Sequence, residues 1–115
     1  VYYPLAAGAL SGKYMNGQMP KNARMSLFKG WERMINPLAM KAYKEYYNLA
    51  KENDITMVQL AQAFVNSRPF VTSNIIGATS MDQLKENIGS IDIKLNQDTL
   101  DKINLIHNNN PNPAP

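Results

Sequence analysis

The sequence predicts an α/β fold, and two features of the chain carry that prediction. Short runs of β-branched and aromatic residues alternate with helix-period patterns, in the order strand, loop, two helices, strand, helix, connector, helix. Strands that alternate with helices imply a parallel sheet. Both strand runs, residues 1–3 and 71–76, lead straight into loops of small residues. Ligands on parallel sheets bind beyond the C-terminal ends of the strands, so both loops fall where a ligand is expected.

Composition narrows the class. The chain has 115 residues, enough for one domain and too few for two. Its hydrophobic fraction of 44% supports a core and argues against disorder. With no cysteine there is neither a disulfide framework nor a thiolate metal site. The net charge of +3 suits an anionic ligand but is too small and scattered for nucleic acid. No apolar run is long enough to span a bilayer and no signal peptide is visible, which sets the expectation of a cytoplasmic chain with no membrane partner. An apolar start at Val1 reads as a piece of a larger protein.

Val1, Tyr2 and Tyr3 suit a pleated surface, and Pro4 stops ladder donation. In residues 5–13, small residues and two glycines allow a close backbone approach to a ligand. The spacing to Lys13 is not that of a Walker loop, and a turn between packed elements is the competing reading. Residues 14–36 are broken by Gly17, Pro20 and Gly30 and carry Lys21, Arg24, Lys29 and Arg33. A loop this long is usually functional or mobile. Arg24 has the fork of donors that pairs with phosphate, though the sequence alone favours a solvated surface arginine. Phe28 and Trp31 are expected to pin this loop to the body.

Asn36 and Pro37 open a helix that should run to about Glu52, with Leu38, Ala42, Tyr46, Leu49 and Ala50 inward. Tyr43 and Tyr47 flank that stripe, and the tyrosines are expected to pack with wet hydroxyls. Thr56 with Gln59 has the capping-box form and starts a second helix, with Met57, Leu60, Ala61 and Phe64 on one face and Pro69 beyond its end. Residues 71–76 then meet Gly77, followed by Thr79 and Ser80. Ser80 with Gln83 again has the capping-box form. Free N–H groups and the helix dipole favour an anion there, although an ordinary strand-to-helix turn carries the same signature.

In the helix that follows, Met81, Leu84 and Ile88 are expected to form an inward face, with Gly89 as C-cap. Ile91, Ile93 and Leu95 alternate as an extended connector would. Asn96 caps a last helix in which Leu100, Ile103 and Ile106 face inward. His107, the single histidine, reads as a surface residue near that helix end, and residues 108–115 as an irregular tail.

Two stretches together resemble a known family. Tyr-Tyr-Pro-Leu-Ala-Ala-Gly-Ala-Leu-Ser-Gly-Lys-Tyr (residues 2–14) and Ile-Ile-Gly-Ala-Thr-Ser-Met-Asp-Gln-Leu-Lys-Glu-Asn (residues 75–87) look like the C-terminal part of an aldo-keto reductase. The branch resembled is that of the Tas-like reductases, near the potassium-channel beta subunits. Residues 67–71 and 111–115 look like the same branch. The resemblance implies a (β/α)8 barrel of typically ~250 residues, of which this chain supplies the seventh and eighth strands, their helices and the extra C-terminal helix. It also implies NADPH as cofactor. Tyr2 then matches the aromatic that stacks on the nicotinamide. Tyr3, Pro4, Leu5, Ala6 and Ala7 match the loop around the diphosphate, Lys13 reaches a phosphate, and Arg24 clasps the cofactor. Gly77, Thr79 and Gln83 match the site of the adenosine 2′-phosphate, and Glu86 and Asn87 lie near the adenine. Tyr3 stands where the family usually has serine, and Gln83 where other branches carry arginine.

The family's catalytic tyrosine, aspartate, lysine and histidine lie on earlier strands, so no residue of this chain is expected to be catalytic and the isolated chain is expected to be inactive. The substrate of the whole enzyme would be a small carbonyl compound. A two-strand remnant leaves sheet edges open. The expectation is therefore that the chain docks to a missing barrel half, self-associates, or persists as a mainly helical body with altered strands. The alternative reading is a non-catalytic helical interaction module without a cofactor.

Overall fold

In a computed structural model, residues 1–115 form five α-helices linked by extended segments and 3-10 turns, and no residue lies in a β-strand. The helices are α1 (Arg24–Leu27), α2 (Pro37–Glu52), α3 (Met57–Asn66), α4 (Met81–Gly89) and α5 (Gln97–Asn109). Segments of 3-10 turn occupy Ala6–Ser11, which is kinked at Ala7 and Gly8, Met15–Gly17, Glu32–Ile35 and Ser90–Asp92. Helix α3 is the hub: it packs on α2, on α4 and on the turns Ala6–Ser11 and Ser90–Asp92. Helix α5 packs on α2. No helix is long and apolar enough to cross a membrane.

Helix starts follow the side-chain caps. The Asn36 carboxamide oxygen accepts from the N–H groups of Leu38 (2.9 Å) and Ala39 (3.0 Å), with Pro37 at the first helical position. Thr56 and Gln59 form a complete capping box: the Gln59 N–H reaches Thr56 Oγ1 at 3.1 Å and the Thr56 N–H reaches Gln59 Oε1 at 2.9 Å. Asn96 caps α5 by accepting from the Thr99 N–H. Asn53 and Asp54 end α2, and α3 stops before Pro69.

The core lies where α2, α3 and α5 meet the first turns, around Ala39, Tyr43, Leu49, Ala50, Met57, Leu60, Ile103 and Ile106. Tyr14 is buried and its hydroxyl accepts the Met25 N–H at 3.2 Å, which ties the first turns to α1. The tail is tethered, since Asn36 Nδ2 donates to the Pro113 carbonyl at 2.8 Å and Ala114 packs on the core.

Several sequence expectations are corrected here. The two strand runs form no sheet: Tyr3 turns into the left-handed region and Thr72 lies in a bend, and a parallel strand needs neighbours to satisfy its backbone where this chain offers only one run to the other. Their meeting is a single rung: the Val1 ammonium donates to the Ser73 carbonyl at 2.8 Å and the Ile75 N–H donates to the Val1 carbonyl at 2.9 Å. On α2 the buried face is Ala39, Ala42, Tyr43, Leu49 and Ala50, so Tyr43 is inward and Leu38 is exposed. Tyr43 is not wet: its hydroxyl is buried without a hydrogen-bond partner. Trp31 packs against the core, whereas Phe28 is exposed. On α4, Met81 and Ile88 face outward and the buried residue is Asn87. Gly89 keeps a helical φ of −62° instead of a left-handed cap, and the chain continues into the Ser90–Asp92 turn. Helix α5 runs on to Asn109, two residues into the expected tail. His107 is exposed in its last turn, as expected.

Candidate functional site

The expected ligand residues fall into two groups. In the first, the backbone turns tightly after the extended start. Tyr3, Ala6 and Ala7 take left-handed φ values of 55°, 48° and 56°, and Gly8 takes 96°. Left-handed φ is uncommon for residues with a Cβ, so three within five residues mark a locally strained turn. Leu5 remains on the right-handed side at φ −104°, so the hand changes between Leu5 and Ala6. Such changes of hand make the backbone concavities that bind anions. The turn is closed by Ala6 N–H to the Tyr3 carbonyl (3.0 Å) and by Gly8 N–H to the Leu5 carbonyl (2.9 Å).

Rings and cations gather around this turn. Tyr2 is 73% exposed and its ring meets Tyr3 edge-on at 5.2 Å; Tyr3 meets Trp31 at 6.1 Å. The Arg24 guanidinium sits 5.7 Å from the centre of the Trp31 ring, a cation–π arrangement that fixes the arginine beside the aromatic row. Lys13 folds back along the loop: a Cβ at Gly8 would stand 3.6 Å from Lys13 Cε, in ordinary van der Waals contact, so the lysine stem lies against this turn. Neither Lys13 nor Arg24 has a carboxylate partner, the two ion pairs of the chain both belonging to Lys102. Pro4 and Leu5 are half-buried, and Ala7 is buried beneath them.

The second group lies at the start of α4. Gln83 Oε1 accepts from both the Thr79 N–H (2.9 Å) and the Thr79 hydroxyl (3.1 Å). The capping box expected at Ser80 is therefore half-formed. Ser80 Oγ accepts the Gln83 N–H at 3.3 Å, but the Gln83 side chain reaches Thr79 instead of the Ser80 backbone. Gly77 and Thr79 are exposed. Glu86 Oε1 accepts the Thr56 hydroxyl at 2.6 Å, which ties α4 to the start of α3. Asn87 is turned inward, with its oxygen accepting from Gln62 Nε2 at 3.1 Å and its nitrogen donating to the Gly77 carbonyl at 3.2 Å.

The Val1 rung joins the two groups; no other hydrogen bond or ring contact passes between them. That rung has the spacing of a parallel pair, with Val1 opposite Asn74. The two loops thus leave neighbouring extended segments in the same direction. Sequence reasoning overlooked Trp31 as the platform for Arg24 and Tyr3, and overlooked Gln62. A glutamine one helical turn after Val58, on the buried stripe of α3, was the available signal. No cluster of histidine and acidic residues is placed to hold a metal ion.

Known proteins resemble this chain along almost its whole length. Residues 1–108 match the Aldo/keto reductase family. The chain is 41% identical over 114 residues to "Protein tas" of Escherichia coli (strain K12), covering 99% of this chain and 33% of that protein. It is 40% identical over 90 residues to an "Aldo-keto reductase" of Babesia bovis, covering 76% of this chain and 32% of the other. It is 33% identical over 114 residues to a "Probable voltage-gated potassium channel subunit beta" of Arabidopsis thaliana, covering 94% and 34%. The chain thus spans about a third of the length of the relatives it matches. A match over residues 1–108 of 115 places it without ambiguity: this chain belongs to the aldo/keto reductase family.

Proposed function

We propose that this chain is the NADP(H)-binding C-terminal segment of an aldo-keto reductase that reduces aldehydes and ketones by hydride transfer. In the family's (β/α)8 barrel it would supply the seventh and eighth strands, with α2 and α3 between them and α4 and α5 after them. The observation that carries this reading is the parallel rung between Val1 and Asn74. It sets the loops at Tyr2 and Gly77 beyond the ends of adjacent extended segments, where α/β folds bind ligands.

The residues present fit a dinucleotide phosphate. Tyr2 offers an exposed ring face for the nicotinamide. The change of hand at Leu5 and Ala6, with Lys13 and Arg24 free of carboxylate partners, suits the diphosphate. Thr79 and Gln83 converge on one hydrogen-bonded turn at the start of α4, which suits the 2′-phosphate. When bound, the nicotinamide supplies the hydride. This chain's part is to bind and orient; the proton donor and its partners belong to the earlier barrel strands. None of the six tyrosines here takes the catalytic place.

Calorimetric titration of the purified chain with NADPH tests the reading. The expected result is binding that weakens about tenfold in Thr79→Ala or Gln83→Ala, the loss of one hydrogen bond to a charged group. Absence of heat at millimolar NADPH overturns it for this chain, whereas NADPH-dependent turnover of a reactive aldehyde by the chain alone would refute the placing of the proton donor on the earlier strands. A second reading, a helical interaction module without cofactor, is favoured by the exposure of Tyr2 (73%), Phe70 (79%) and Ile75 (64%) around the unpaired extended segments. The same edge would seat the rest of the barrel or a second copy of the chain. Concentration-dependent dimerisation without nucleotide binding would select that reading.

A further inference from the structure

Residues 66–77, α3 and α4 meet at a row of side-chain amides. Asn74 Nδ2 donates to Gln62 Oε1 at 2.6 Å and to Asn66 Oδ1 at 3.1 Å. Gln62 Nε2 donates to Asn87 Oδ1 at 3.1 Å, and Asn87 Nδ2 donates to the Gly77 carbonyl at 3.2 Å. Gln62 and Asn87 each accept on the oxygen and donate from the nitrogen, so the orientation of Gln62 dictates that of Asn87, while the Asn74 oxygen is buried without a partner. Gln62 is 1% exposed and Asn87 6%, so water has little access to replace a lost link.

The loop at Gly77 has few other holds. Between the Ile75 N–H, which donates to Val1, and the Ser80 cap, its hydrogen bonds run to Gln83 and Asn87, both on α4. Helix α4 is held to α3 by the buried Gln62–Asn87 bond and by the exposed Thr56–Glu86 bond. A Cβ at Gly77 would meet nothing within 4 Å, so that face of the glycine is open, and Asn87 is the one side chain bonded to its carbonyl.

We propose that Gln62 is a positioning residue for residues 77–83. Acting through Asn87, it holds the Gly77 carbonyl, and with it the turn that presents Thr79 and Gln83 to the adenosine 2′-phosphate. The assignment rests on the NADP(H) reading above and adds a residue that touches no cofactor. Without the Gln62 donor, the Asn87 amide is free to rotate, and Gly77 loses its single side-chain partner.

The test combines amide NMR of the labelled chain with NADPH and NADH titrations. Gln62→Met keeps the length of the side chain and cuts both links. Gln62→Glu keeps the acceptor for Asn74 and removes the donor to Asn87. In both variants the signals of residues 77–83 and of the Asn87 side chain are expected to move, while those of α2 and α5 stay in place. NADPH affinity falls about tenfold and NADH affinity by less than about twofold, because NADH lacks the 2′-phosphate. Unmoved signals at residues 77–83, or equal losses for the two nucleotides, overturn the proposal. If Gln62→Met does not fold, Gln62→Glu, which cuts only the link to Asn87, decides by the same readouts. If the unaltered chain binds neither nucleotide, the NADP(H) reading falls, and the NMR shifts alone decide whether Gln62 positions the loop.

Discussion

Helices α2 and α4 begin with the same kind of signal and end in different circumstances. Asn36 accepts two N–H groups at 2.9 and 3.0 Å, and its Nδ2 donates back to the Arg33 carbonyl (2.7 Å) and across to Pro113 (2.8 Å). Ser80 accepts one N–H at 3.3 Å, on an exposed turn whose glutamine is committed to Thr79. Helix α2 buries five residues, four of them apolar aliphatic and one tyrosine, while α4 buries only an asparagine. Capping chemistry therefore starts a helix wherever it is written, but burial depends on what the chain places beside it. The α2 side has α3, α5 and the tail as neighbours. Of the large apolar residues of α4, Leu84 is half-buried, while Met81 and Ile88 remain 63% and 58% exposed.

The largest effect that separates the two regions is deletion of a packed side chain. Leu60 is 3% exposed at the centre of α3, and Leu60→Ala is expected to cost about 2–5 kcal/mol, the transfer loss plus the cavity left behind. Ile88→Ala, on the open face of α4, is expected to cost less than about 0.5 kcal/mol. Urea unfolding of both variants measures the difference. Equal costs would mean that Ile88 is covered in solution, and would turn the comparison into one between two interfaces.

The caps give a smaller contrast. Asn36→Ala removes both accepted bonds and the tether to Pro113, and is expected to destabilise by about 1–2 kcal/mol. Ser80→Ala removes one long, exposed bond and is expected to cost a few tenths of a kcal/mol, at the low end of the capping range. Thermal melts read by far-ultraviolet dichroism rank the two. A reversed order would show that the α4 turn is better anchored than its hydrogen bonds imply.

The same contrast explains what was legible in the sequence. Caps are local, so Asn36, Thr56 and Asn96 located three helix starts, and Pro69 bounded the end of α3. Strands are not local. Residues 71–76 have the β-branched composition, yet only the Ile75 N–H finds a rung, on Val1. On the inward face of α2, Ala42, Tyr46, Leu49 and Ala50 do pack inward, but Ala39 is buried where Leu38 was expected, and Tyr43 lies within the stripe instead of at its edge. Hydrophobic size favoured the larger side chains, whereas the close approach of other segments selected the alanine. The two motifs around Tyr2 and Thr79 made the family legible, by their order and separation. Gln62 was not legible, because a polar residue in an apolar stripe discloses nothing of its partners until Asn74 and Asn87 are brought to it.

The smallest expected effect concerns the one imperfection of the well-packed side. Tyr43 is 4% exposed and its hydroxyl has no partner, so burial raises its pKa above the ordinary 10.0. Tyr46 is raised in the same direction, by burial first and by Glu45 second. The folded chain holds both phenolic protons more tightly than the unfolded chain does. The stability linked to them is complete below the unfolded value near 10.0 and is lost as pH rises through the folded values. Tyr43→Phe keeps the ring and removes a hydroxyl that is desolvated for no return. It is expected to raise stability at neutral pH by about 1 kcal/mol or less and to make the loss above pH 10.0 shallower, with Tyr46 supplying what slope remains. Urea midpoints taken from neutral to alkaline pH measure both parts. A fall in stability at neutral pH would mean that the hydroxyl is bonded in solution, and that the α2 side is as well satisfied in its polar groups as it is in its apolar ones.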